Sequence, residues 1–195
     1  MKDDRYEIRF SGMGGQGIIT AAVIFAEAAA LYESKYVCQT QSYGPEARGG
    51  RCRAEVVIST REIDYPQAMQ LDMLLAMSQA ACDAYFYDFK PNGLLIIDST
   101  FVDQVPTSRV VAIPFTQIAR ENIGKVQVAN MVALGAVGHF CEAVALKSIE
   151  KALLSRVPKG TKGINRQAFY AGVKVAKKMS LRQLPRSIFH DDTEV

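Results

Sequence analysis

The start of the chain limits what it can fold into more than any other part. Tyr6 to Phe10 carries a strand pattern, the Gly-rich turn Ser11-Gly-Met-Gly-Gly-Gln-Gly17 follows, and Ile18 to Leu31 is Ala-rich, apolar and long enough for a helix. A strand passed through a tight glycine turn into a helix that packs back on it opens a βα unit.

The rest of the chain continues the alternation. Lys35 to Thr40 and Arg53 to Thr60 read as strands, and Gln41 to Arg51 (QSYGPEARGGR) between them as a loop, by its glycines, proline and charges. Leu71 to Ser78 and Gly93 to Ser99 are short apolar runs ending in small polar residues, the pattern of buried parallel strands, with a helix pattern over Gln79 to Phe89 between them. Arg109 to Pro114 gives one more strand. Helices then take over across Val126 to Leu146, Ser148 to Val157 and Asn165 to Met179. The expected fold is α/β: a Rossmann-like three-layer sandwich with a mostly parallel sheet and a helical C-terminal part.

Val126 to Leu146 is apolar nearly all round, which buries it in the core or against another subunit. Asn165 to Met179 has Phe169, Val173 and Ala176 on one face and Lys174, Lys177 and Lys178 on another, the pattern of a surface helix. The 195 residues suit one domain, residues 1–195, and the tail from His190 to Val195 reads as solvated.

Composition narrows the function. The net charge of +3, from 23 basic against 20 acidic residues, makes no case for nucleic acid or a membrane surface. The apolar stretches are broken by Glu27 and by Gln127, Asn130, His139 and Glu142, so no membrane span is expected. The start of the chain lacks a signal-peptide pattern, which leads to the expectation of a cytoplasmic protein with reduced thiols. Cys38, Cys52, Cys82 and Cys141 lie far apart, without the spacing of a zinc or iron–sulfur site, so no metal site is expected here. His139 and His190 have no nucleophile beside them in the sequence, and no catalytic residue is assigned.

Two segments carry recognition chemistry. Gly12, Gly14 and Gly17 form G-x-G-x-x-G between strand and helix, where backbone N–H groups and the helix N-terminus can bind a phosphate. The other reading is a tight turn with close helix–sheet packing and no ligand. The acid that would hold the ribose of NAD at the end of a second strand is missing from Tyr36-Val-Cys-Gln-Thr-Gln41, against a dehydrogenase. The loop Thr40 to Gly50 falls at the sheet edge of the glycine turn and offers Ser42, Tyr43, Glu46 and Arg48, with Arg51 and Arg53 beyond. That set suits a phosphate or an acidic partner surface; equally, Glu46 and Arg48 could pair in a solvated loop.

Four segments, Ile8-Arg-Phe-Ser-Gly-Met-Gly-Gly-Gln-Gly17, Gln39-Thr-Gln-Ser-Tyr-Gly-Pro-Glu-Ala-Arg-Gly-Gly50, Glu62-Ile-Asp-Tyr-Pro66 and Gly93-Leu-Leu-Ile-Ile-Asp98, together resemble the gamma subunit of 2-oxoacid:ferredoxin oxidoreductases, the 2-oxoglutarate enzyme most of all. The resemblance ends near Gly138, with Asn130-Met-Val-Ala-Leu-Gly135 inside it. It implies a subunit, inactive alone, of a complex that decarboxylates a 2-oxoacid oxidatively, forms an acyl-CoA and reduces ferredoxin. Thiamine diphosphate and iron–sulfur clusters are then expected on partners: alpha and beta subunits, with a ferredoxin-like subunit as a further partner. The gamma domain of the family has been linked to coenzyme A. Carried over, Gly12, Gly14, Gly15, Gln16 and Gly17 form the turn for a CoA phosphate, Ser42 and Tyr43 join the binding set, and Arg48 and Arg51 are counter-charges. Ser42 to Gly50 could equally be the face that meets alpha and beta. Alternatives are a ligand-free structural subunit of that complex, or a subunit of the related indolepyruvate or pyruvate enzyme.

Overall fold

The computed structural model describes residues 5–44, 50–181 and 184. Six strands form one sheet in the order β2-β3-β1-β4-β5-β6. They are β1 (Arg5–Met13), β2 (Tyr36–Tyr43), β3 (Arg51–Ser59), β4 (Leu71–Ala76), β5 (Phe89–Asp98) and β6 (Val110–Ile113). Pairs β1/β4, β4/β5 and β5/β6 are parallel, and β3 alone runs against its neighbours β1 and β2. The expected α/β fold with a mostly parallel sheet is what the chain adopts.

The alternation of β4 and β5 sends Met73, Leu75, Leu94 and Ile96 to one face and Leu74, Ala76, Leu95 and Ile97 to the other, and both sets are buried. The first face carries most of the core. There α1 (Ile18–Glu33), α4 (Ala129–Phe140), α5 (Leu146–Arg156) and α6 (Lys162–Ala176) contribute Phe25, Val132, Leu153 and Phe169 to one cluster. The second face is covered thinly by α2 (Gln79–Tyr85), whose Cys82 joins the smaller cluster. A short α3 (Phe115–Ile118) and a π-helical turn, Ala119–Ile123, follow β6.

Where the second face meets β1 and β3, the buried side chains are polar, and each is satisfied. Arg9 Nε donates to Glu55 Oε1 at 2.8 Å, and Glu7 Oε2 accepts from the backbone of Met69 and Gln70 at 2.5 and 2.7 Å. Arg9 also donates to the Tyr85 carbonyl at 3.1 Å and lies 4.2 Å from the Tyr87 ring centre. This capture ends α2 at Tyr85, short of the expected Phe89, because the carbonyls that would continue the helix serve Arg9.

The expected helix from Val126 to Leu146 is instead divided. A 3₁₀ turn over Val126–Val128 leads into α4, and the chain leaves helical geometry at Cys141 before α5 begins at Leu146. No proline or glycine marks this break. The freed backbone is held from α1 and the residues after it: Glu33 Oε1 accepts from Ala145 N at 2.6 Å, and Lys35 Nζ donates to the Ala143 carbonyl. Tertiary partners thus override a continuous helical pattern. α4 is a core helix, packed against α1, α3 and α6. The lysine face of Asn165 to Met179 is exposed as expected, with Phe169, Val173 and Ala176 buried.

Candidate functional site

β1 does not stop at Phe10. Its pairing with β3 continues through Ser11↔Arg53, Gly12↔Cys52 and Met13↔Arg51, so the turn proper is Gly14 to Gly17. Gly12, inside the strand, leaves no room for a side chain, since a Cβ there would lie 2.6 Å from Gln16 Oε1 and 2.8 Å from Ile18 Cγ1. Gln16 ties the turn together: its Oε1 accepts from Met13 N at 2.7 Å, and its Nε2 donates to the Met77 carbonyl at 3.0 Å, beyond the end of β4. Gly15 at φ 95° and Gly17 at φ 73° both need left-handed geometry. Around Gly15 the space is open, and no atom would lie within 4 Å of a Cβ built there.

Gly17 caps α1 without a side chain, and the first helical bond runs from Ala21 N to Gly17 O at 3.1 Å. The amides ahead of Ala21 are left without a side-chain cap, at the positive end of the helix. Such an end favours an anion.

β2 and β3 form a hairpin whose register sets Tyr43 opposite Cys52, and Cys52 opposite Gly12. The described ends of the loop after β2, Gly44 and Gly50, therefore lie at the edge of the glycine turn. The loop's bounds are narrower than expected: Gln41, Ser42 and Tyr43 belong to β2 and Arg51 to β3. Gly14 N donates to the Gly50 carbonyl at 2.8 Å and binds the turn to the hairpin. Ser42, Tyr43 and Arg51 are exposed on this side. Glu46 and Arg48 lie outside the described residues, as does His190.

The topology also changes the argument about a ribose acid. In a dinucleotide fold the second strand lies beside the first, whereas here antiparallel β3 separates β2 from β1. Glu33, the acid before β2, is occupied by Ala145 N and by Lys35 at 3.3 Å.

On the other side of the turn, β4, β5 and β6 end around a cleft of about 260 Å³ that reaches Gly15, Gln16, Thr116 and Arg120. Thr116 is fixed by Asp98, a fully buried carboxylate that accepts from Thr116 Oγ1 at 2.5 Å, Thr116 N at 3.1 Å and Thr100 N at 3.0 Å. The sequence showed none of this cleft. Asn130, whose Nδ2 donates to the Gly17 carbonyl at 3.1 Å, did leave a signal, as an amide inside an apolar helix pattern. A larger cavity, about 590 Å³, lies at the opposite edge of the sheet, among the starts of β1, β4 and β5. Parallel sheets of this kind bind ligands at the strands' carboxyl ends, which makes the glycine-turn edge the candidate site.

Cys52, beside Gly12, is buried, and burial raises its thiol. His139, in the last turn of α4, has its pKa lowered by burial and then by Lys177. Among the described residues, no three His, Cys, Asp or Glu side chains are grouped to hold a metal ion. No helix among them is long and apolar enough to cross a membrane.

Residues 7–175 match the family model described as pyruvate ferredoxin/flavodoxin oxidoreductase. The chain belongs to that family. It is 50% identical over 179 residues, 90% of this chain and 96% of the relative, to the 2-oxoglutarate synthase subunit KorC of Methanocaldococcus jannaschii. Among solved structures, the gamma subunit of a keto/oxoacid ferredoxin oxidoreductase from Geobacter sulfurreducens superposes with TM-score 0.80 at 45% identity, covering 89% of this chain and 99% of that one. The chain is thus a gamma-type subunit of a 2-oxoacid:ferredoxin oxidoreductase. The same fold occurs within the longer 2-oxoglutarate:ferredoxin oxidoreductase of Magnetococcus marinus, solved with 2-oxoglutarate, coenzyme A and succinyl-CoA bound (TM-score 0.81, 24% identity, 92% of this chain and 32% of that one).

Proposed function

We propose that this chain is the gamma subunit of a 2-oxoglutarate:ferredoxin oxidoreductase and serves it in two ways. It holds a phosphate of coenzyme A at the glycine turn, and it joins the catalytic subunits through the hairpin side of that turn. The observation that carries the first role is the uncapped start of α1 at the carboxyl edge of the sheet, with open space at Gly15. Gly12, Gly14, Gly15, Gln16 and Gly17 would form the cradle, with Ser42, Tyr43 and Arg51 along its hairpin side and Arg48, outside the described residues, as a further counter-charge. The name carried by the KorC relative supports 2-oxoglutarate as the 2-oxoacid.

Thiamine diphosphate supplies the decarboxylation chemistry of such a complex, and clusters carry its electrons to ferredoxin. The donors in this chain do not suit either group: Cys52, Cys82 and Cys141 are buried apart in β3, α2 and after α4. Both belong to the alpha and beta subunits, or to a ferredoxin-like subunit. This chain contributes position and a phosphate site, and the complex works in the cytoplasm.

Purification of the complex through a tag on this chain tests the reading. The expected result is a thiamine diphosphate-binding pair of subunits with 2-oxoglutarate-dependent, CoA-requiring reduction of viologen. A complex that oxidises pyruvate and ignores 2-oxoglutarate would overturn the substrate. In the same complex, Gly14→Val should raise the Michaelis constant for CoA, because a side chain would fill the space the backbone needs at a phosphate. An unchanged constant would reject the CoA role and leave assembly.

A further inference from the structure

The two edges of the sheet are finished differently. β6 is short, Val110–Ile113, and Pro114 follows it directly, which are common ways of blunting an edge. β2 runs for 8 residues, Tyr36-Val-Cys-Gln-Thr-Gln-Ser-Tyr43, with no charge, proline or glycine among them. Its register against β3 is unbroken from Tyr36↔Ser59 to Tyr43↔Cys52, so no bulge turns it away either. An edge of this length without those guards is a template for another strand.

The hydrogen bonds around β2 fix which of its main-chain groups face outward. Gly14 N donates to the Gly50 carbonyl at 2.8 Å, and Gly44 N to the Arg51 carbonyl at 2.7 Å. Even-numbered positions of β3 therefore bond to β1 and odd-numbered ones to β2, and the β2 residues bonded to β3 are Tyr36, Cys38, Thr40 and Ser42. Val37, Gln39, Gln41 and Tyr43 turn their N–H and C=O outward, where the sheet has no further strand. Their side chains lie on the α1 face, where Val37 packs against the core and Tyr43 is 65% exposed. Cys38, Thr40 and Ser42 alternate with them on the second face.

We infer that two copies of this chain pair through β2, antiparallel about a two-fold axis at Thr40, joining their six-stranded sheets into one. This is the alignment in which all four outward residues meet outward residues. Val37 lies opposite Tyr43 of the second copy and Gln39 opposite Gln41 of the second copy, and each pair closes two main-chain bonds. The side chains agree. β-Branched Val37 meets an aromatic ring, a favourable cross-strand pair that covers exposed Tyr43, and the two Thr40 side chains meet on the axis. Gln39 Nε2 is engaged with the Thr40 carbonyl at 3.0 Å, which leaves its Oε1 to accept from Gln41 of the second copy. A copy is the fitting occupant because the strand is uncharged and complementary to itself, whereas a charged strand from another protein would find no counter-charge along it. The inference is independent of the CoA reading, since it uses the outer edge of β2 and leaves the glycine turn free.

The test reads the register. On the second face, Cys38 and Ser42 of the second copy form a pair without main-chain bonds, whose Cα atoms lie about 4.5 Å apart, within reach of a disulfide. In the full chain and in the purified complex, Ser42→Cys should give a covalent dimer with diamide as the oxidant. Peptide mass spectrometry should find Cys38 joined to position 42. The native chain should give no such dimer, because its two Cys38 thiols are out of register and Cys52, Cys82 and Cys141 are buried. Gln41→Pro removes an outward N–H and no bond to β3, so it leaves the fold and weakens the pairing. Sedimentation should show the full chain as a dimer, and Gln41→Pro should raise the dissociation constant about tenfold or more with an unchanged circular dichroism spectrum. A monomeric full chain, or a dimer that Gln41→Pro leaves intact, overturns the inference. So does a complex in which Ser42→Cys links no two copies while the β2 amides resist hydrogen exchange, because the edge then serves a catalytic subunit.

Discussion

Asn130 Nδ2 donates to the carbonyl of Gly17 at 3.1 Å, so the first turn of α4 is fastened to the start of α1 across the carboxyl edge of the sheet. The contact is too close for a side chain at Gly17, where a Cβ would collide with that same amide, and Gly17 also has φ 73°. Two separate demands therefore fall on one glycine.

Gly17→Ala should cost about 1–2 kcal/mol for the left-handed backbone alone, and more for the collision. In an Asn130→Ala background the collision is gone and only the backbone cost is left. A double-mutant cycle by urea denaturation should thus show the two substitutions to be non-additive, with Gly17→Ala milder when Asn130 is absent. Additive effects would mean that the amide simply moves aside.

The crossing of α4 and α6 imposes a second steric limit. A Cβ at Gly172 would run into the Val132 carbonyl, and one at Gly135 into the Phe169 carbonyl, so the two helix backbones touch. Gly172→Ala should destabilise by about 1–3 kcal/mol, the usual range for overpacking, although alanine is the better helix former. Thermal melting of the isolated chain measures it. A rise in Tm would show that the helices separate freely.

Much of this fold was legible because its main elements follow period and punctuation. The β1–turn–α1 unit and the doubly buried β4 and β5 all stand where the pattern of apolar residues sets them. The pattern was silent where distant side chains decide. Nothing near Cys141 announces the end of α4, since the groups that stabilise the break, Glu33 and Lys35, are more than a hundred residues away. The same holds for β1, whose Glu7, Arg9 and Ser11 look like a solvent face and are buried with partners from β3, β4 and the residues around 69 and 85. At the site, the glycines advertised the turn because backbone geometry requires them. The cleft beside it is assembled from the ends of separate strands, and no local spacing encodes it.

The thiols give a chemical check on burial. Cys82 and Cys141 are buried, and burial pushes each thiol up to about 11. Both stay protonated at pH 8, whereas alkylation needs the thiolate. Cys38, in edge strand β2, is only half-buried. Iodoacetamide on the native chain should label Cys38 first, and peptide mass spectrometry should find Cys82 and Cys141 unmodified until denaturant is added. Early labelling of Cys141 would contradict the packing between α4 and α5.

His139 sets a pH dependence whose sign is fixed by its surroundings. Burial, and then the charge of Lys177, lower its pKa below the ordinary value of about 6.5. Above that pH the imidazole is neutral in both folded and unfolded chains and contributes nothing to the slope. As the pH falls through it, the unfolded chain takes up the proton first, so stability declines and levels off only below the folded pKa. His139→Gln should remove this part of the decline in a stability profile taken from pH 7 downward. Lys177→Gln should move the folded pKa of His139 upward and shrink the decline without abolishing it, because burial acts first. A titration of the His139 ring by NMR reads the shift directly, and a midpoint at or above 6.5 would show that neither the burial nor Lys177 acts on the ring as the structure requires.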